Sequence, residues 1–207
     1  MKFKTKELVH ELKHHLPFTA FATIFAILII LIINFFLKKE ISESAFEIFH
    51  PLHVLVSAIA TSAMFYKYKK NIFHSILVGI FGAVIIGTLS DVIFPYLGGS
   101  ILNIKLSLHL PIISEYKIIL TSAFIGAVLG ILTKQTKTPH LIHVFLSVFA
   151  SLTYLITFSQ SSGILFLTKS FIIVFVAVVI PCCISDIVFP FFFLGKKIKQ
   201  CACSNDN

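Results

Sequence analysis

Charge is scarce in this chain of 207 residues, and both arginine and tryptophan are absent. Charged residues make up 13% of the sequence, about half of the share found in a soluble domain. Hydrophobic residues make up 57%, and the mean hydropathy is +0.97. These proportions exclude an ordinary soluble domain and predict an integral membrane protein, with the lipid bilayer as its main partner. Because no soluble segment combines basic and aromatic residues, we expect no nucleic acid partner.

The motifs of several enzyme classes are missing as well. The sequence contains no glycine-rich loop of the phosphate-binding type and no His-Glu-x-x-His motif of a zinc hydrolase. Four cysteines lie near the C-terminal end, at Cys182, Cys183, Cys201 and Cys203. The first pair is interpreted as small packing residues, and the second pair is a weak indication of a bound thiophilic ion or a docked partner.

Six apolar segments are long enough to cross a bilayer as helices. They are 17–37, 46–66, 72–94, 117–133, 140–158 and 170–193. An open strand cannot satisfy its backbone hydrogen bonds in lipid, so all six are predicted to be helical and the fold class is an all-α integral membrane protein. The first segment follows a charged stretch and is too long for the apolar part of a signal peptide, so we expect it to remain as a span.

Lysine placement predicts the orientation. With the N-terminus in the cytoplasm, twelve of the seventeen lysines fall on the inner side, which is the bias that the positive-inside rule describes. Both termini are then cytoplasmic, and the predicted location is the cytoplasmic membrane of a bacterium or an archaeon. The net charge of +8 is explained by lysines that flank the spans and meet anionic headgroups.

Three short motifs occur twice in the chain. The first copies are His15-Leu-Pro, His50-x-x-His53-Val-x-x-Ser57-x-x-Ala and Ser90-Asp91-x-x-Phe-Pro. The second copies are His109-Leu-Pro, His140-x-x-His143-Val-x-x-Ser147-x-x-Ala and Ser185-Asp186-x-x-Phe-Pro. The offsets between copies are 94, 90 and 95 residues, and this near constancy indicates an internal duplication.

Each copy contains three spans, so the second copy must enter the membrane from the opposite side. This predicts an inverted-topology 3+3 repeat, which is the internal symmetry of many secondary transporters. The predicted organisation is an amphipathic cytoplasmic segment, a first repeat, an inverted second repeat and a basic tail that contains cysteine. The corresponding ranges are 1–16, 17–100, 101–195 and 196–207.

The orientation divides the motif residues into two predicted clusters near opposite faces of the membrane. The outer cluster is His50, His53, Asp91 and His109, and the inner cluster is His140, His143, Asp186 and His15. Histidines at positions i and i+3 share one face of a helix, and ionisable groups in a membrane indicate a functional site. Three histidines and a carboxylate suit Zn²⁺, Fe²⁺, Mn²⁺ or Ni²⁺, so each cluster is a candidate metal site.

Two plainer interpretations of these residues stay open. The histidines can cap helix ends at the membrane interface and form hydrogen bonds with water or lipid headgroups. Each Ser-Asp pair can instead mark the position where a span leaves the membrane. The four motif serines are assigned to lining and packing, since small residues allow close helix contacts in a membrane. These serines are Ser57, Ser90, Ser147 and Ser185. The proline after each Asp is expected to end or kink its helix and to free backbone carbonyls.

Three functional hypotheses follow. The first is a small transporter or channel, expected to form a homo-oligomer, for a divalent metal ion or a proton-coupled small solute. The second is a metalloenzyme embedded in the membrane, a hydrolase or an oxidoreductase, in which one cluster activates water or a redox metal. The third is a non-catalytic assembly protein whose histidines and aspartates form interhelical bonds. We expect the protein not to be an enzyme, because matched sites on opposite faces are the pattern of a transporter.

Overall fold

A computed structural model of the protein describes the backbone of residues 5–37, 42–134 and 137–194 and the side chains of residues 16–33, 42–134 and 141–181. Within these ranges the secondary structure is helical, and the only strand-like feature is a single bridge between Leu106 and Ser159. Six helices are long and apolar enough to cross a membrane. The predicted all-α fold and the number of spans are confirmed.

The helices are numbered in chain order. They are α1 (Thr5–Leu37), α2 (Glu43–Lys69), α3 (Ile72–Thr88), α4 (Phe94–Ile101), α5 (Pro111–Ser114), α6 (Tyr116–Thr133), α7 (Lys137–Phe158) and α8 (Ile164–Leu194). A π-helical turn, Leu89–Ile93, joins α3 to α4, so the third span is one helix that runs over Ile72–Ile101. The predicted spans match the long helices to within a few residues, with three exceptions. Helix α1 begins at Thr5, well before residue 17, the third span continues past Pro95, and α8 begins before residue 170.

The long helices form two groups of three. One apolar core joins α2, α3 and α6, and the other joins α1, α7 and α8. Helices α2 and α7 contact each other along the boundary between the groups. Large apolar side chains such as Phe21, Phe73 and Phe81 point outward with more than half of their surface exposed, which is the pattern of a surface covered by lipid tails.

Helix α6 lies unusually close to α2 because it carries Gly126 and Gly130 on the contact face. A Cβ atom added at Gly126 would collide with the backbone carbonyl oxygen of Leu55, and one at Gly130 would collide with the carbonyl oxygen of Ile59. Only glycine allows two helix backbones to approach this closely in a membrane. This Gly-x-x-x-Gly pair therefore holds α2 and α6 in close contact.

We expect Gly126→Leu to destabilise the helix bundle by about 1–3 kcal/mol, because the added side chain forces α2 and α6 apart. The thermal unfolding midpoint of the purified protein in detergent is the measurement. Ile125→Leu is the matched control, since Ile125 is the neighbouring residue and faces outward. Equal midpoints for the two variants would contradict the packing role of Gly126.

Candidate functional site

Six buried polar side chains among the described residues meet where α2, the π-helical turn and α7 come together. His50, His53, Asp91 and His143 each expose 2% of their surface or less, and Ser90 and Ser147 are fully buried beside them. Polar groups at this depth require hydrogen-bond partners, because an unpaired polar group in an apolar environment costs several kcal/mol. We call the group of His50, His53, Asp91, Ser90 and Ser147 the Asp91 centre.

Asp91 accepts four hydrogen bonds. Its Oδ2 atom lies 2.8 Å from Nδ1 of His50 and 2.6 Å from Nδ1 of His53. Its Oδ1 atom accepts from the hydroxyl of Ser90 at 2.7 Å and from the hydroxyl of Ser147 at 2.9 Å. Both carboxylate oxygens are therefore saturated, and the bonds join side chains from α2, the π-helical turn and α7.

The four contacts determine the direction of the hydrogen bonds. An ionised carboxylate only accepts, so each imidazole donates its Nδ1–H to Asp91. Such bonds are charge-assisted and are about twice as strong as bonds between neutral groups. The Nε2 atoms of His50 and His53 lie on the other side of their rings and have no hydrogen-bond partner among the described residues.

Local sequence explains why the two histidines reach one carboxylate. His50 and His53 are three residues apart on α2 and therefore share a face of that helix. Gly87 on α3 faces them, and a Cβ atom added there would lie 3.7 Å from the His50 ring and 3.0 Å from Val54. The missing side chain at Gly87 leaves room for the imidazoles beside the backbone of the third span.

The π-helical turn places Asp91 in the interior of the span. In this turn the N–H of Phe94 bonds the carbonyl of Leu89, five residues back, and the next N–H would serve the carbonyl of Ser90. Residue 95 is proline, which has no N–H. The hydroxyl of Ser151 donates to the Ser90 carbonyl instead, at 3.0 Å. The expectation of a freed carbonyl is confirmed at Ser90. Of the two outcomes expected at Pro95, an end or a kink of the helix, the end does not occur, because the span continues to Ile101.

The position of His143 differs from the prediction. The sequence assigned it to an inner cluster separate from His53, but the two rings are stacked with their centroids 5.7 Å apart and their planes within 6°. The cause is the direct packing of α2 against α7, which brings the first histidine pair beside a histidine of the second copy. His143 therefore adjoins the Asp91 centre.

His109 also differs from the prediction, because it does not join the Asp91 centre. Its Nε2 atom lies 3.1 Å from Oε1 of Glu115, and both side chains are 21% exposed. The ring of Phe46 stands between the two histidines, with its centroid 6.2 Å from His109 and 5.4 Å from His50. A bulky apolar side chain on α2 thus separates the residues that the sequence grouped together.

The role of the serines is only partly as predicted. Ser147 and Ser90 were assigned to lining and packing, yet both donate to the carboxylate of Asp91. Ser57 is 2% exposed on α2. The side chains of His15, His140, Ser185 and Asp186 lie outside the described residues, so the predicted inner cluster has only His143 within them.

The arrangement bears on the predicted metal site. In the part of the chain with described side chains, no three His, Cys, Asp or Glu residues form a group that could hold a metal ion. Both oxygens of Asp91 are occupied by hydrogen bonds, and the Nε2 atoms of its two histidines point away from it. The imidazoles and the carboxylate therefore act on each other here, and metal binding stays a prediction.

Several residues of the site were missed from the sequence. Ser151 follows Ser147 by one helical turn on the face of His143, and Phe46 precedes His50 by one turn. These one-turn spacings could have identified both Ser151 and Phe46 as neighbours of the histidines. Tyr154 had no such signal, because its contact with His109 joins residues 45 positions apart, and Glu115 lies six residues after His109 in a segment without helical periodicity.

No family model, curated protein or solved structure matches this chain.

Ser147→Ala is expected to lower the free energy of unfolding by about 1.5–3 kcal/mol, because it removes a hydrogen bond to a buried charged group. Unfolding in detergent with an added denaturant measures the change. Ser75→Ala is the matched control, since Ser75 is equally buried but bonds only the carbonyl of Asn71 in the preceding turn. A loss in the control as large as that in Ser147→Ala would contradict the special role of the carboxylate.

Proposed function

We propose that the protein is a proton-coupled membrane transporter for a small solute, with the Asp91 centre as its proton-binding site. The observation that carries the proposal is the pair of imidazole Nδ1 atoms on one oxygen of a fully buried carboxylate. Histidine is the side chain whose ordinary titration lies nearest to neutral pH. An ionisable group in a membrane span is by default a functional residue.

The charge of the centre depends on one proton. With Asp91 ionised and both imidazoles neutral, the centre carries a net charge of −1, and an additional proton on one imidazole makes it neutral. Burying a net charge among apolar helices is unfavourable by several kcal/mol, so binding or release of this proton changes the preferred packing of α2, the π-helical turn and α7. Coupling of proton binding to solute movement requires that the protonated and deprotonated centres favour different packings of the helices.

The proposed inverted repeat gives the second part of the mechanism. The three duplicated motifs support it, and so does the pairing of helices. Helix α6 packs on α2 and α3, and α1, its counterpart at the start of the first copy, packs on α7 and α8. His53 and His143 are equivalent positions and stack on each other, as a pseudo-twofold axis between α2 and α7 would require. Inverted repeats supply related inward-facing and outward-facing states.

The metalloenzyme hypothesis is less well supported. A metalloenzyme needs a ligand set or an activated nucleophile, but Ser90 and Ser147 donate to the carboxylate of Asp91. The assembly hypothesis shares the interhelical bonds of Asp91 with the transporter hypothesis, and the transport measurement below separates the two. Transport of a divalent metal is favoured by one specific observation: the Nε2 atoms of His50 and His53 have no hydrogen-bond partner among the described residues. A histidine that ligates a metal commonly donates its other ring N–H to a carboxylate, as both of these do.

Reconstituted vesicles that contain a trapped pH-sensitive dye test the proposal. The solutes are a panel of short organic acids, amino acids and the divalent ions Zn²⁺, Mn²⁺, Fe²⁺ and Ni²⁺, applied with an imposed proton gradient. We expect one solute class to move with protons, and Asp91→Asn to slow that movement by at least about tenfold, equivalent to about 1.4 kcal/mol. The slowing follows because an amide cannot hold the charge that the proton balances.

Glu43→Gln is the matched control, since it makes the same carboxylate-to-amide change at an exposed position at the start of α2. This variant is expected to transport as the wild type does. The proposal is wrong if no solute moves with protons in the wild type, or if Asp91→Asn transports at the wild-type rate. Movement of a divalent ion without protons would instead favour metal transport.

The inverted repeat predicts opposite sidedness for equivalent loops. Lys70 follows the second span of the first copy, and Gln160, at the offset of 90 residues, follows the second span of the second copy. With the native cysteines replaced by serine, Lys70→Cys should react with an impermeant maleimide only from the cytoplasmic side, and Gln160→Cys only from the outside. Reaction of both cysteines from the same side would exclude an inverted arrangement.

A further inference from the structure

The Asp91 centre is sealed from solvent on all described sides, yet a half-buried ionisable pair lies close to it. His109 and Glu115 form this pair, and each is 21% exposed, whereas His50 is 1% exposed. The pair lies in the segment between the third and fourth spans, at the same end of α7 as Phe158. The pair is therefore more exposed than the centre and is linked to it through the Phe46 ring, which contacts both His109 and His50.

Phe46 fills the space between the exposed pair and the centre. Its side chain is fully buried, and its ring is stacked on His50 and meets His109 edge-on. Tyr154 and Phe158 of α7 also contact this ring, with centroids at 5.3 Å and 5.7 Å. The three aromatic rings and Val92 form one apolar cluster, which excludes water from the path between the two histidines.

A half-open cavity with both polar and apolar lining adjoins this cluster at Phe158. It has a volume of about 440 Å³ and is lined by residues that include Lys105, Ser107, Thr157 and Phe158. Phe158 is shared, since its ring forms a wall of the cavity and stacks on His109 with centroids 4.8 Å apart. The hydroxyl of Tyr154 accepts the backbone N–H of His109 and donates to the carbonyl of Ser107, which ties the cavity to the pair.

We propose that these elements form an access route, in which the cavity and the His109–Glu115 pair are the entrance and Phe46 is the gate in front of His50. The inference rests on the proposed function, because a proton-binding site needs a path to solvent. Glu115 holds the His109 ring through Nε2, and Tyr154 is the other titratable side chain with a contact to His109 among the described residues. A change of the Phe46 rotamer would join the entrance to His50.

Water access to individual histidines tests the gate without any measurement of transport. The hydrogen on Cε1 of an imidazole exchanges with heavy water only when water reaches the ring, and mass spectrometry of peptides resolves each histidine. In the wild-type protein in vesicles, His109 should exchange readily and His50 slowly. Phe46→Ala should speed exchange at His50 by about tenfold, which is a barrier change of about 1.4 kcal/mol.

Two further variants keep the test decisive. Phe149→Ala removes another buried ring from the bundle, one that contacts Phe49 and Phe145 but no histidine ring among the described residues, so exchange at His50 should stay slow. Phe46→Leu leaves a smaller apolar side chain at the gate and should speed exchange at His50 by less than Phe46→Ala does. If Phe46→Ala fails to fold, an increase at His50 in Phe46→Leu over Phe149→Ala replaces it as the supporting result.

The gate is refuted if His50 exchanges as fast as His109 in the wild type, or if the folded Phe46→Ala protein leaves His50 as slow as in Phe149→Ala. If Phe46→Ala does not fold, the gate is refuted when His50 exchanges at the same rate in Phe46→Leu and in Phe149→Ala. Failure of all solutes to move with protons would refute the proposed function separately, because the exchange rates do not depend on transport.

Discussion

The carboxylate of Asp91 is the constraint on which the rest of the centre depends. A buried charge needs compensation from every direction, and here it comes from two imidazoles on α2, a serine beside Asp91 itself and a serine on α7. The bonds connect the two three-helix groups across their boundary. The same carboxylate therefore determines both the packing of the core and the chemistry that is available inside it.

Other features of the fold make this arrangement possible. The glycines on α6 and α3 allow backbones to approach α2, and the π-helical turn with Pro95 places Asp91 within its span and leaves a carbonyl for Ser151. In water these polar contacts would be exchanged for contacts with solvent at little loss. Within a bundle that has apolar cores and a lipid-facing surface, their loss leaves charged or polar groups unpaired, so the polar centre and the close packing depend on each other.

The sealed state of the centre fits the proposed proton transport. A proton-binding site that is open to both sides would dissipate a gradient, so a transporter of the proposed kind needs barriers that open one at a time. In the described state the aromatic cluster of Phe46, Tyr154 and Phe158 closes the path toward His109. His53 bonds Asp91 and stacks on His143 of α7, which places a second histidine-bearing helix next to the same charge.

The sequence by itself determined the membrane fold, the number of spans and the identity of the central ionisable residues. It could do so because hydropathy and helical spacing are local properties, so that His50 and His53 had to share a face of α2. Tertiary structure alone decided that Ser147 bonds Asp91, that His143 stacks on His53, and that Phe46 separates His109 from His50. Each of these depends on which helix packs beside which, and at what register, and such long-range packing leaves no periodic signal along the chain.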